Sequence, residues 1–218
     1  MNKSIIKKLA GGSAVLGVLL SASAQPPTAS VPAGLNTSPT VWESEMPAFP
    51  GGSEGTPLTS YQELYASGGE VYVTFLGPTG AGDDEYLFVQ SPANAFGDFF
   101  EDHATANGLT YDLGSYTAGT EIEFGIYDET TGYSWYDGPG SRNVDGQIHA
   151  YVVDQYEGLP NTDYVGFEDT SYGTGDFNYA DEVYAFTGTS VSPVPEPSTM
   201  ALFVMGGFAG LRMLRRRK

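Results

Sequence analysis

The sequence predicts an all-β fold, a single β-sandwich of jelly-roll type with at most one short helix. Three observations predict it. Seven segments between residues 70 and 188 are rich in β-branched and aromatic residues. Gly and Asp/Asn clusters separate them at short intervals. Only one stretch has helical spacing. Residues 58–187, about 130 positions, suit one domain with its own core.

In chain order the expected strands are EVYVTFL (70–76), EYLFVQ (85–90), TEIEFGIYD (120–128), YSWYD (133–137), QIHAYVVD (147–154), DYVGFE (163–168) and EVYAFTG (182–188). In the third, Ile122, Phe124 and Ile126 alternate with Glu121, Glu123 and Gly125, which gives one buried and one wet face. The helical candidate is PANAFGDFFEDHATANG (92–108), with Phe96, Phe99, Phe100 and His103 at i, i+3, i+4 and i+7 and Gly108 as a C-cap. Residues 25–57 and 188–197 are rich in Pro, Gly, Ser and Thr and read as linkers.

The two ends read as targeting segments. Lys3, Lys7 and Lys8 precede an apolar run from Leu9 to Leu20, and Ala22 and Ala24 form an A-x-A cleavage site before Gln25. Residues 1–24 are therefore expected to be a signal peptide read by the Sec export machinery. Ser198 to Leu214 contains Arg212 as its one charge and would reach about 25 Å as a helix, near the lower limit for a membrane span. Arg215, Arg216, Arg217 and Lys218 would hold the end in the cytoplasm. Pro195 and Pro197 keep the helix from extending backwards.

Charge separates the middle from the ends. All 27 acidic residues except Glu196 lie between Glu43 and Glu182, where Arg142 is the single lysine or arginine. Such a surface repels phosphate backbones, which argues against nucleic-acid partners, and attracts cations. There is no cysteine, so no disulfide or thiol chemistry enters.

VGFEDTSYGTGDFNYADEVYAF (165–186) is the stretch most suited to chemistry. A strand ends in Glu168 and Asp169, a glycine-rich loop follows, and Asp176, Asn178 and Asp181 precede the next strand. Calcium takes six to eight oxygens, and a flexible acidic loop supplies them. Asp and Asn also cap ordinary turns through their own backbone, so turn chemistry is the competing reading. Asn143 and Asp145 of SRNVDGQIHA form a second candidate loop, and Asp145-Gly146 is equally a hairpin signal. AGDDEY (81–86) reads first as an acidic turn and second as metal ligands, and His149 as a packed or hydrogen-bonded histidine. No G-x-S-x-G, H-E-x-x-H or Cys-His set occurs, so no catalytic residues are assigned.

Two resemblances follow. The motif Pro195-Glu196-Pro197, the apolar span and the basic tail together resemble the PEP-CTERM sorting signal. It implies export, an inner-membrane-anchored intermediate, processing by an exosortase, and delivery to the cell surface or extracellular polysaccharide. Residues from about Phe99 to Thr187 resemble the domain of unknown function 4114 family. Gly166, Phe167, Glu168, Asp169, Asp176, Tyr179 and Asp181 carry the motif. Asn178 stands where that family has an acid and Ala180 where it has Asn, departures that would weaken a calcium site. The function expected is a non-catalytic, calcium-stabilised surface or matrix protein, with a role in adhesion or in an exopolysaccharide matrix. The alternatives are a carbohydrate-binding module and a polysaccharide-acting enzyme.

Overall fold

Alternation along the strands decides where the core forms. A computed structural model of the chain describes residues 25–37, 56–77, 82–92, 96–155 and 158–192. Ala22, Ala24, the motif at 195–197 and the expected span 198–214 lie outside them. Among the described residues no helix is long and apolar enough to cross a membrane.

Twelve strands among the described residues form two antiparallel sheets. They are β1 (Thr28–Ala29), β2 (Leu64–Ala66), β3 (Gly69–Gly77), β4 (Glu85–Ser91), β5 (Phe99–Glu101) and β6 (Thr110–Tyr116). β7 (Glu121–Asp128), β8 (Ser134–Tyr136), β9 (Ala150–Val153), β10 (Thr162–Phe167), β11 (Glu182–Thr187) and β12 (Thr189–Ser190) follow. One sheet has the order β1-β6-β3-β11-β10-β9, and the other β12-β2-β7-β4-β5 with β8 paired to β7. This is the β-sandwich the sequence predicts. The single helical element among the described residues is a 3-10 turn at Gly140–Arg142.

The inner faces follow the expected period of two. Ile122, Phe124 and Ile126 of β7 are fully buried, as are Val71, Val73 and Phe75 of β3, Val165 and Phe167 of β10, and Tyr184 and Phe186 of β11. Phe124 meets Phe186 across the sandwich at a ring distance of 4.5 Å. Each such side chain contributes about 1.5–3 kcal/mol by leaving water. β11 is also covered on its outer face, where Val183 and Ala185 pack with Tyr164, Leu76 and Leu35. Burial on both faces explains why EVYAFT lacks a wet alternate.

The fold differs from expectation in three places. The helix expected at 92–108 is absent from its described part. Residues 99–101 form β5, and Ala104 and Thr105 close a turn on the Glu101 carbonyl. Phe99 and Phe100 are both buried, with Phe100 in the left-handed region at φ 58°, so two neighbouring rings enter the core without helical geometry. Gly97 and β-favouring Phe residues oppose a helix here. Second, Thr28–Ala29, inside the expected linker, pairs with Tyr111 and Thr110 of β6. Third, Thr189–Ser190 extends the sheet beyond residue 187 by pairing with β2.

Candidate metal centre

The acidic loop is built by alternation. Phe177 and Tyr179 are buried at 1 % and 0 % exposure, while Asp176 is exposed and Asn178 partly so. The two aromatics take left-handed backbone, φ 50° and 56°, which costs a non-glycine residue about 1–3 kcal/mol each. Tyr179 fixes the loop: its hydroxyl donates to the Ile148 carbonyl at 3.0 Å and accepts from the Leu58 N–H at 2.9 Å. Gly166 lets the loop lie on β10, since a Cβ there would stand 2.1 Å from the Tyr179 carbonyl oxygen.

This loop brings Glu168, Asp169 and Asp181 together, each with an oxygen within 4.8 Å of the others. Their backbones lock the arrangement. Asp181 N–H donates to the Phe167 carbonyl at 3.2 Å, and Asp169 N–H donates to Asp181 Oδ2 at 3.1 Å. Glu168 is wholly buried and neither carboxylate oxygen completes a hydrogen bond, although the Phe177 N–H lies near enough to pull its pKa down. Burial, then the charges of Asp181 and Asp176, raise its pKa to about 8. Burial and Asp169 raise Asp181 to about 7.

The remaining predicted ligands have other partners. Asp176 accepts from the Asn178 N–H and side-chain amide, both at 2.9 Å. Asn178 Oδ1 accepts from Ala180 N–H at 2.7 Å. Both make the turn contacts of short polar side chains. Asn143 is 6 % exposed and fully engaged: it accepts from Tyr136 N–H and donates to the Tyr136 and Gln147 carbonyls. Asp145 accepts from the Gln147 and Tyr172 N–H groups, and its Oδ2 lies 3.1 Å from His149 Nε2. Its pKa is lowered: burial opposes the charge, but the two backbone donors and His149 outweigh it. The His149 ring stacks on Trp135 at 3.9 Å and its Nδ1 lies 2.8 Å from the Glu168 carbonyl oxygen, which orders the residue preceding Asp169.

A second acidic group lies beside the loop. Glu85 of β4, Asp102 after β5 and Glu182 of β11 are all fully buried, with oxygens within 4.8 Å of one another. Burial, then Glu182 and Asp169, raise Glu85 to about 10. Burial raises Glu182 strongly as well. Sequence reading misses this group for specific reasons. Glu182 opens a strand buried on both faces, Asp102 lies inside the expected helix, and Glu85 lies where the acidic turn 81–86 overlaps the start of the expected strand 85–90. Only the register of separate strands joins them.

Comparison with known proteins adds three findings. No curated protein matches the chain in sequence. Among solved structures, the C-terminal domain of BC2L-C lectin from Burkholderia cenocepacia aligns at 16% identity and a TM-score of 0.32, over 63% of this chain and 100% of that one. Residues 193–218 match the PEP-CTERM protein-sorting motif, so the chain carries the signal of an exported, exosortase-sorted protein that passes through a membrane-anchored intermediate.

Proposed function

We propose that the mature protein is a non-catalytic module of the cell surface or extracellular polysaccharide, whose acidic β-sandwich is stabilised by calcium at Glu168, Asp169 and Asp181. One observation carries the calcium reading: Glu168 is wholly buried, neither of its oxygens completes a hydrogen bond, only the Phe177 N–H stands near to offset its charge, and two further carboxylates converge on it. An uncompensated buried charge costs several kcal/mol. A hard divalent ion with oxygen ligands removes that cost, and extracellular calcium modules work at 10⁻⁴–10⁻³ M. The sorting motif supplies the location, and the likeness of residues 99–187 to the domain of unknown function 4114 family belongs to the same reading. Three exposed tyrosines, Tyr61, Tyr133 and Tyr172, sit on three different loops rather than in a row along one strand face. Among the described residues no sugar-stacking platform therefore favours the carbohydrate-binding alternative.

The test is thermal melting of the full chain in detergent, first in excess chelator and then in calcium. At one hundred times Kd, one ion contributes about 2.7 kcal/mol, or roughly 5–10 °C for a chain of this size. The shift should disappear in Glu168→Gln and Asp181→Asn. A wild-type chain that melts at the same temperature in both conditions would leave the loop as turn chemistry.

A further inference from the structure

We propose that Glu85, Asp102 and Glu182 form a second calcium site, which clamps the two sheets together. The inference takes its cation from the reading above but none of its ligands. Glu182 belongs to β11 of one sheet; Glu85 and Asp102 belong to β4 and the turn after β5 of the other. All three are 0 % exposed.

The free oxygens define the site. Glu182 Oε2 accepts from the Tyr184 hydroxyl, which leaves Oε1 without a partner. Asp102 Oδ1 accepts from the Glu85 N–H at 3.2 Å and lies 2.9 Å from His103 Nδ1, which leaves Oδ2 free. Neither Glu85 oxygen completes a hydrogen bond, although the Asp169 carboxyl beside it raises its pKa. Three buried side chains, which carry four such oxygens between them, thus converge. Calcium binds oxygens at about 2.3–2.6 Å, so two ligands on opposite sides of one ion stand about 5 Å apart. The three side chains offer oxygens within 4.8 Å of one another, the span of one such shell.

The donor set selects the ion. It contains no sulfur and no imidazole nitrogen, which disfavours zinc and copper. Magnesium keeps several waters and is poorly served by a fully enclosed carboxylate cage. Protons are the competitor, because buried acids that find no cation remain neutral. Backbone contacts hold the cage: Asp102 N–H donates to the Glu85 carbonyl at 3.2 Å, and Phe167 pairs with Glu182 in the ladder between β10 and β11. Asp169 acts electrostatically on both Glu85 and Glu182, so the new site adjoins the loop site.

Calcium stoichiometry tests this, measured by equilibrium dialysis and metal analysis on the full chain in detergent. Wild type should hold two ions per chain. Glu182→Gln and Glu85→Gln should each hold one. The loop variant Glu168→Gln/Asp181→Asn should hold the other one. That variant alone decides the matter if the Gln variants fail to fold: one remaining ion supports the clamp, and none overturns it. A wild-type count of one that Glu182→Gln leaves unchanged would sink the clamp and spare the loop site. A count of none would sink both.

Discussion

Two ends of the same sandwich meet the same electrostatic problem differently. At one, Arg142 gathers four carboxylates. Its Nη2 lies 2.7 Å from Glu121 and 3.4 Å from Glu63, its Nη1 3.4 Å from Asp137, and its Nε 3.9 Å from Glu123. At the other, the neighbouring triads Glu85, Asp102, Glu182 and Glu168, Asp169, Asp181 have, among the described residues, no lysine or arginine paired with them. Asp137 and Glu182 are equally buried, at 0 % exposure. Asp137 has a guanidinium beside it and accepts the Phe124 N–H at 3.1 Å. Glu182 has a tyrosine hydroxyl and other acids. The comparison teaches that this chain encodes its own cation where it needs a permanent one and leaves the second end for a cation, or protons, from outside.

The largest expected effect breaks the first end. Arg142→Met leaves Asp137 buried without its cation and frees Glu63, Glu121 and Glu123 to repel one another. Removing one partner of a buried pair costs about 3–5 kcal/mol. Urea unfolding should show a loss of that size, and calcium should not restore it. A loss under about 1 kcal/mol would mean that Asp137 is already neutral and that Arg142 contributes only as a surface pair. Burial does raise the Asp137 pKa, against the pull of Phe124 N–H and Arg142, so this measurement discriminates.

Which end the sequence reveals follows from the physics of each. The seven expected strands all exist because runs of β-branched and aromatic residues suit a sheet, with alternation marking the half-buried face in Glu121–Asp128 and near-continuous burial in Thr162–Phe167 and Glu182–Thr187. β6 went unread because Asp112 and Gly114 look like a turn. They form a bulge instead, with Gly114 N–H donating to Asp112 Oδ1 at 2.8 Å and the register with β3 shifting between Val71 and Tyr72. The loop acids Glu168, Asp169 and Asp181 were legible because they surround one glycine-rich segment. Asn143 and Asp145 gave a similar signal, yet their side chains hold turns. The triad Glu85, Asp102 and Glu182 was invisible, because partners 17 and 80 positions apart are joined only by which strands pair.

The second end should respond to pH in the absence of calcium. Glu168 and Asp181 have folded pKa values of about 8 and 7, above the usual carboxylate range near 4. The folded state therefore binds protons more tightly than the unfolded one between about pH 4 and 8. Stability from these groups is complete below about pH 4 and is lost as pH rises through 7 and 8. In chelator the melting temperature should fall by several degrees from pH 5 to pH 8. Calcium replaces those protons and should flatten the slope. A melting temperature that climbs with pH in chelator would mean that the loop acids are solvated and ionised, like those at the surface.

The smallest effect separates the loop's fold from its affinity. A Cβ on Gly175 would stand 2.2 Å from Glu168 Oε1 and 2.9 Å from the Thr170 carbonyl oxygen. Gly175 needs no left-handed backbone, so alanine brings no torsional strain there. Two atoms are crowded: the end of the Glu168 side chain, which can turn aside, and the Thr170 carbonyl oxygen, which must shift with its backbone. Turning aside moves the Glu168 carboxylate from its position in the loop. Gly175→Ala should therefore cost about 1 kcal/mol in unfolding in chelator, from the displaced backbone. It should weaken calcium binding about ten-fold, which corresponds to about 1.4 kcal/mol. Calorimetric titration reads that difference directly. If Gly175→Ala kept full affinity, Glu168 would not be a ligand, and its buried carboxyl would have to be carried by a proton, with Asp169 and Asp181 left to hold an ion on their own.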